Sequence, residues 1–256
     1  MIPKEAAATA QTLTAALKLT RPPVAIALVD TPPAGVPTFA GRVPAGCRFW
    51  QEAGERTFVT APADHDLCAI GTFTHNLAVT PAHEVDRGDA LAVFADLGYV
   101  RPEDIPLIPV LTRRPSYVVY GPLAEAPVAP DVVLLFVRAD QTLILSEASQ
   151  SLEGGSPPAM GRPACAIVPQ ARNSGRTALS LGCCGARAYL DVLGDEVALY
   201  AVPGERIEAF ARRVAELARA NEVLTAFHRV RRRDVESGQS PTIKESLAAM
   251  SRARGA

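Results

Sequence analysis

Aromatic side chains are scarce in this 256-residue chain, at 5%, and net charge is nearly absent, at −1. The near-neutral balance leaves no footprint for nucleic acid, whose binding rests on neutralising phosphates. The one strongly basic run, Arg229-Val230-Arg231-Arg232-Arg233, is bounded by Asp234 and Glu236 and reads as a solvated helix end. Long hydrophobic runs are missing as well. No apolar run exceeds residues 132–137, and a membrane-crossing helix needs about 20 such residues. Met1 to Thr20 lacks the basic flank and dense apolar stretch of a signal peptide, so a cytoplasmic location is expected. No G-x-G-x-x-G follows a strand, and no P-loop, H-E-x-x-H or G-x-S-x-G occurs. The 5 cysteines are an odd number, with neither ferredoxin spacing nor a C-x-x-C pair. In a chain long enough to bury its own core they read as free thiols or ligands, not staples.

What the chain has in quantity is aliphatic surface: 48% of it is hydrophobic, mostly Ala, Val and Leu. Short Val-, Leu- and Ile-rich segments bounded by Pro, Gly or Asp predict strands at 24–29, 57–60, 116–120, 132–138, 177–181 and 197–202. Helices are predicted at 5–19, 47–53, 83–97, 141–150, 185–192 and 205–232. In the last, Ile207, Phe210, Ala211, Val214, Leu217 and Ala218 recur at three- and four-residue intervals. The expected fold is mixed α/β (α+β) in a single globular domain over 1–256, with a C-terminal helix and tail over 237–256. Two pseudo-symmetric halves, about 17–150 and 160–235, are expected to join at the linker-like residues 154–158.

A search for repeats supports those halves. The first segment runs Cys47-Arg48-Phe49-Trp50, then Arg56-Thr57-Phe58-Val59, then Leu67-Cys68-Ala69-Ile70-Gly71. The second runs Cys165-Ala166-Ile167-Val168, then Arg176-Thr177-Ala178-Leu179, then Leu181-Gly182-Cys183-Cys184-Gly185. Each has a Cys opening a helical turn, an Arg-Thr pair entering an apolar strand, and a second Cys about twenty residues on, beside a Gly. A two-fold arrangement would bring Cys68 and Cys183 or Cys184 together near its centre.

The candidate chemistry lies in these segments. In Asp64-His65-Asp66-Leu67-Cys68, a Cys three residues after a His puts both on one face of a turn, and the flanking acids could orient the imidazole. In Gly182-Cys183-Cys184-Gly185-Ala186-Arg187, glycines flank a thiol pair at a helix start, and Arg187 stands one turn in. Gly71, Gly182 and Gly185 are where backbone can come close to a bound group. Cys47, Cys68 and Cys183 supply three thiolates from three loops, which suits an iron–sulfur cluster, or zinc completed by His65. Cys165, within an apolar run, reads as a small buried side chain. His75, His83 and His228 read as surface or capping residues.

In order and spacing these features resemble domain-of-unknown-function family 169. The matching residues are Leu19 with Pro22-Pro23-Val24-Ala25, then Cys47-Arg48-Phe49-Trp50-Gln51-Glu52-Ala53. They continue in His65-Asp66-Leu67-Cys68-Ala69-Ile70-Gly71 and Ser180-Leu181-Gly182-Cys183-Cys184-Gly185-Ala186-Arg187. The resemblance covers about 17–203. It implies the order of elements and no mechanism. The family pattern has one Cys after Gly182 where this chain has two; position favours Cys183.

The leading expectation is a cysteine-ligated metalloprotein, iron–sulfur before zinc, that binds or acts on a small molecule. Cys47, Cys68 and Cys183 would be ligands, His65 a fourth ligand or acid/base group, and Arg187 a stabiliser of thiolates or an anionic substrate. A metal-free thiol enzyme with Cys183 as nucleophile and a non-catalytic ligand-binding module stand as alternatives. No nucleic-acid or membrane partner is expected, and a homo-oligomer stays open.

Overall fold

A computed structural model of the chain describes residues 3–190, 194 and 196–254. Helices α1 (Pro3–Leu17), α2 (Arg48–Glu52), α3 (Ala69–Thr74), α4 (Pro81–Asp96), α5 (Ala139–Leu152), α6 (Ile167–Ser174), α7 (Cys184–Tyr189), α8 (Ile207–Glu236) and α9 (Ile243–Arg254) accompany seven strands. These are β1 (Val24–Val29), β2 (Phe58–Thr60), β3 (Tyr117–Pro122), β4 (Val132–Arg138), β5 (Ala159–Met160), β6 (Ala178–Ser180) and β7 (Val197–Pro203). They form one sheet in the order β2-β3-β1-β4-β7-β6-β5, antiparallel except for β5 beside β6. The mixed α/β fold is thus the one expected, and β1 and β4 fall on the predicted spans.

Sequence accounts for most elements locally. The helix α1 has Pro at its first position, where a missing N–H costs nothing, and Glu5 in its first turn. It buries Ala6, Ala10, Leu13 and Leu17, a stripe at helical spacing, and Lys18 closes it with φ 52°. Thr80 caps α4 by accepting the His83 N–H. Three elements escaped the strand and helix patterns, α3, α6 and the two-residue β5, each too short for periodicity to register. Of the predicted helix over 185–192, residues 191 and 192 lie outside the described residues.

The sheet is buried on both faces at its centre. On β4, Val132, Leu134 and Phe136 face one way with Val24, Ile26 and Leu28 of β1, against α2 and α6. Val133, Leu135 and Val137 face the other way, against α1, α5 and α8. Two covered faces explain why β4 reads as an unbroken apolar run instead of alternating. Fully burying a Leu such as Leu134 is worth about 1.5–3 kcal/mol.

Strand register reveals a two-fold repeat. At the centre of the sheet Ala25 faces Val133 across the antiparallel β1–β4 pair. A two-fold axis there carries Ala25 onto Val133 and Val24 onto Val132, an offset of 108 (133 − 25). Val24 pairs with Pro122 and Val132 with Pro203, so β3 maps onto β7 with an offset of 81 (203 − 122). Tyr120 therefore maps onto Ala201. Their partners are Phe58 and Ala178, so β2 maps onto β6 with an offset of 120 (178 − 58). The loops agree. Leu123 N donates to Pro23 O at 2.8 Å, and the mapped Gly204 N donates to Asp131 O at 2.8 Å. At the sheet edges Phe39 N donates to Val59 O at 2.8 Å, and Gly161 N to Leu179 O at 2.8 Å. The repeat therefore divides the chain between β3 and β4 and the sheet between β1 and β4, and residues 154–158 lie inside the second half as the loop from α5 to β5.

Close packing where each half turns from its last strand can be tested at a glycine. A Cβ at Gly204 would run into the Pro130 carbonyl oxygen, whereas one at Gly88, inside α4, meets nothing within 4 Å. Gly204→Ala is expected to destabilise by at least about 2 kcal/mol, and Gly88→Ala to stabilise by about 0.5–1 kcal/mol. Urea-unfolding midpoints read both; equal effects would contradict the packing.

Candidate functional site

The face of the sheet carrying α2 and α6 also carries the cysteines. Cys47 is buried there, and Cys68, Cys165 and Cys183 pack against the same core cluster. Cys47, Cys68 and Cys183 are the N-cap residues of α2, α3 and α7. Cys165 sits in the 3-10 turn Ala164–Ala166 that leads into α6, and α3 packs against that turn. Cys183 Sγ accepts from Ala186 N at 3.4 Å, while Cys184 is exposed. Of the two adjacent thiols, Cys183 is the one turned toward the core.

Glycines make room for Cys68. A Cβ on Gly71 would stand 2.6 Å from Cys68 Sγ, and one on Gly46 would stand 3.7 Å from it. Gly71 therefore has a packing reason to be glycine. Gly182 has another: its φ of +82° is left-handed, and it turns the chain from β6 into α7. Gly185 has neither constraint, since a Cβ there would meet only Tyr189 at 4.0 Å. Arg187 donates to Leu181 O at 2.6 Å and Gly194 O at 2.7 Å, so its guanidinium braces the thiol loop through carbonyls.

Burial sets the protonation of these thiols. It pushes Cys47 up to about 12, and the charges of Cys68 and Cys183 add to the effect. Cys68 is raised by burial, against the pull of backbone hydrogen bonds from Gly46 and Gly71. Cys165 is raised by burial and then by Cys68, with a hydrogen bond from Thr74 opposing. Without a cation these three are neutral thiols at pH 7. Each of the three also feels the charge of Cys183, so cysteines from both halves lie within electrostatic reach of one another.

Two imidazoles stand beside them. His65 is 2% exposed, with its ring 4.6 Å from that of Phe49. Its Nε2 lies 3.0 Å from Thr60 Oγ1, which gives its own proton to Val118 O at 3.1 Å. A hydroxyl has one proton to give, so Thr60 must accept from His65 Nε2–H. That leaves His65 Nδ1 as a bare lone pair, 3.5 Å from where a Gly46 Cβ would stand, beside the space that Cys68 Sγ borders. The flanking acids do not orient the ring as expected. Asp64 accepts from Ala61 N at 2.7 Å, and Asp66 pairs with His83 at 3.6 Å. Thr60, inward-facing on β2, orients it instead.

His75 departs from its surface reading. It caps the C-terminus of α3 but is 4% exposed. Its Nδ1 donates to Gly71 O at 3.1 Å, so Nε2 is a lone pair, buried and without a hydrogen-bond partner. Burial holds His65 down at about 3, with His75 adding to the effect, and His75 at about 4. Both are neutral at physiological pH. Among the described residues, no three His, Cys, Asp or Glu side chains are disposed to hold one metal ion. A cavity of about 290 Å³, lined by Phe73, Asn76, Glu84, Arg87 and Arg114 among others, lies at the far end of α3, and no cysteine lines it.

A family model, DUF169, described as uncharacterised ArCR, matches residues 12–213. No curated protein matches the chain, and no solved structure does.

The buried histidines make stability depend on pH. Both bind a proton more weakly folded than unfolded, where the pKa is about 6.5. Their stabilising neutrality is therefore intact above that value and is lost as pH falls toward about 4 for His75 and about 3 for His65. Going from pH 7 to pH 5 is expected to cost about 2 kcal/mol per histidine. Urea unfolding of chelator-treated protein measures it, and His75→Phe should remove about half of the dependence. A flat profile would mean that the imidazoles are not buried as described.

Proposed function

This chain belongs to the DUF169 family, and from the geometry of its thiols we propose that it holds a cysteine-ligated metal centre, an iron–sulfur cluster before zinc, on Cys47, Cys68 and Cys183. The observation that carries this is the gathering of three thiols, from loops of both halves, on one core face within reach of one another's charge. Neutral thiols tolerate that burial. A bound cation would deprotonate them and compensate the charge, which is how thiolate ligands are held in apolar surroundings.

The kind of donor is what ranks a cluster ahead of zinc: the three residues are all cysteines, the ligand that iron–sulfur clusters take. His65 enters as a lone-pair donor: held neutral by burial, it can ligate or accept a hydrogen bond, and it has no acidic proton to give at pH 7. A small molecule would meet the centre from the side of Cys183, where the exposed Cys184 and Leu181 lie.

Anaerobically purified protein should be brown and contain iron and acid-labile sulfide. Cys68→Ser and Cys183→Ser should each weaken metal retention by more than the roughly 10–100-fold that an outer-shell change costs. Absorption spectra with iron, sulfide and zinc analysis provide the check. Colourless, metal-free protein would remove the metal reading and leave thiol chemistry at Cys183.

A further inference from the structure

The repeat has a consequence for the number of ligands. After the mapped strands β2 and β6, each half has a six-residue helix whose N-cap is a cysteine, Cys68 in the first and Cys183 in the second. The same repeat relates Cys47 to Cys165. Their separation of 118 (165 − 47) is within two residues of the 120 that relates β2 to β6, the strands that follow them. Each precedes the helix that packs next to the last long strand of its half, α2 on β3 and α6 on β7. Cys165 is thus not an isolated small residue in an apolar run. It occupies in the second half the place that Cys47 occupies in the first.

We infer that Cys165 is the fourth ligand of the centre, so that two symmetry-related thiol pairs, Cys47 with Cys165 and Cys68 with Cys183, close it around the pseudo-two-fold axis. This rests on the reading of a metal centre given above and changes its character. With four cysteines no iron keeps a position for substrate, and His65 is a neighbour of the centre rather than its ligand. The sheet supplies the scaffold. The axis runs through the β1–β4 pair, and all four thiols belong to or pack against the core cluster of the face that also holds Val24, Ile26, Val132 and Leu134. The turn bearing Cys165 packs against α3, whose N-cap is Cys68, which joins one pair to the other across the halves. Thr74 ties this turn to the neighbouring imidazole: it lies 3.2 Å from His75 Nδ1 and also hydrogen-bonds Cys165.

The two halves are not identical at this place. Eight residues separate Thr60 from Cys68, and three separate the mapped Ser180 from Cys183 (68 − 60 against 183 − 180). The extra five residues form the turn that brings in His65. The symmetry therefore accounts for the thiols and leaves His65 as an addition peculiar to the first half, consistent with a part outside the ligand set.

The test is anaerobic reconstitution of the full chain with ferrous iron and sulfide, which does not depend on what survives purification. Wild type, Cys165→Ala, Cys165→Ser and Cys184→Ala are compared by iron and sulfide content and by electron paramagnetic resonance. Circular dichroism and gel filtration show that each variant has folded; alanine, small and apolar, keeps the packing at Cys165. The expected result is loss of at least one iron per chain and an altered resonance in both Cys165 variants. Cys184→Ala should keep the wild-type iron content. Folded Cys165 variants that load and resonate like wild type would overturn the fourth-ligand assignment and leave the three-cysteine centre standing. A wild-type chain that takes up no iron or sulfide would overturn both.

Discussion

The antiparallel contact between β1 and β4 is the constraint on which everything else depends. Only Val24, Ala25 and Ile26 pair with Leu134, Val133 and Val132, yet this short register joins the two halves into one sheet. Both strands are buried on both faces, so a slip of one residue would exchange their entire inward and outward sets. Such a slip would also put the cysteines of the second half out of register with those of the first. The apolar side chains that hold the pair closed thus belong to the same core face against which the thiols pack.

The two faces divide the work. One is covered by α1, α5 and α8, long helices whose stripes of Ala, Leu, Ile and Phe provide ordinary hydrophobic burial. The other is covered by the short helices α2 and α6, with α3 packed on the turn that leads into α6. Short helices bury little surface, but each start delivers a side chain to the middle of the face. On that face the buried polar groups are kept neutral: thiols raised by desolvation, imidazoles lowered by it. A charge-neutral cluster of soft donors can be buried at modest cost, while a thiolate there requires a compensating cation.

The hydrogen bonds around His65 show how local chemistry is inherited from the sheet. Thr60 ends β2 and gives its proton to Val118 on the neighbouring β3, because strand pairing puts that carbonyl within reach. Only then is it obliged to accept from His65, and only then is Nδ1 left bare. The tautomer of a candidate site residue is therefore set by a strand pairing fifty-eight residues away in sequence. No feature of Asp64-His65-Asp66 announces it, and the acids that flank the ring turn to other partners.

The sequence by itself determined the elements and the inventory of donors. Apolar runs bounded by Pro and Gly marked β1 and β4, three- and four-residue spacing marked α8, and the Arg-Thr and Cys-Gly echoes marked the repeat. These are readable because strand and helix periodicities are local properties of the chain. Tertiary structure alone decided that Cys47, Cys68, Cys165 and Cys183 share one core face, that His75 is buried with an orphaned nitrogen, and that Thr60 orients His65. Each of those outcomes follows from packing between segments far apart in sequence, which the whole sheet selects and no local pattern encodes.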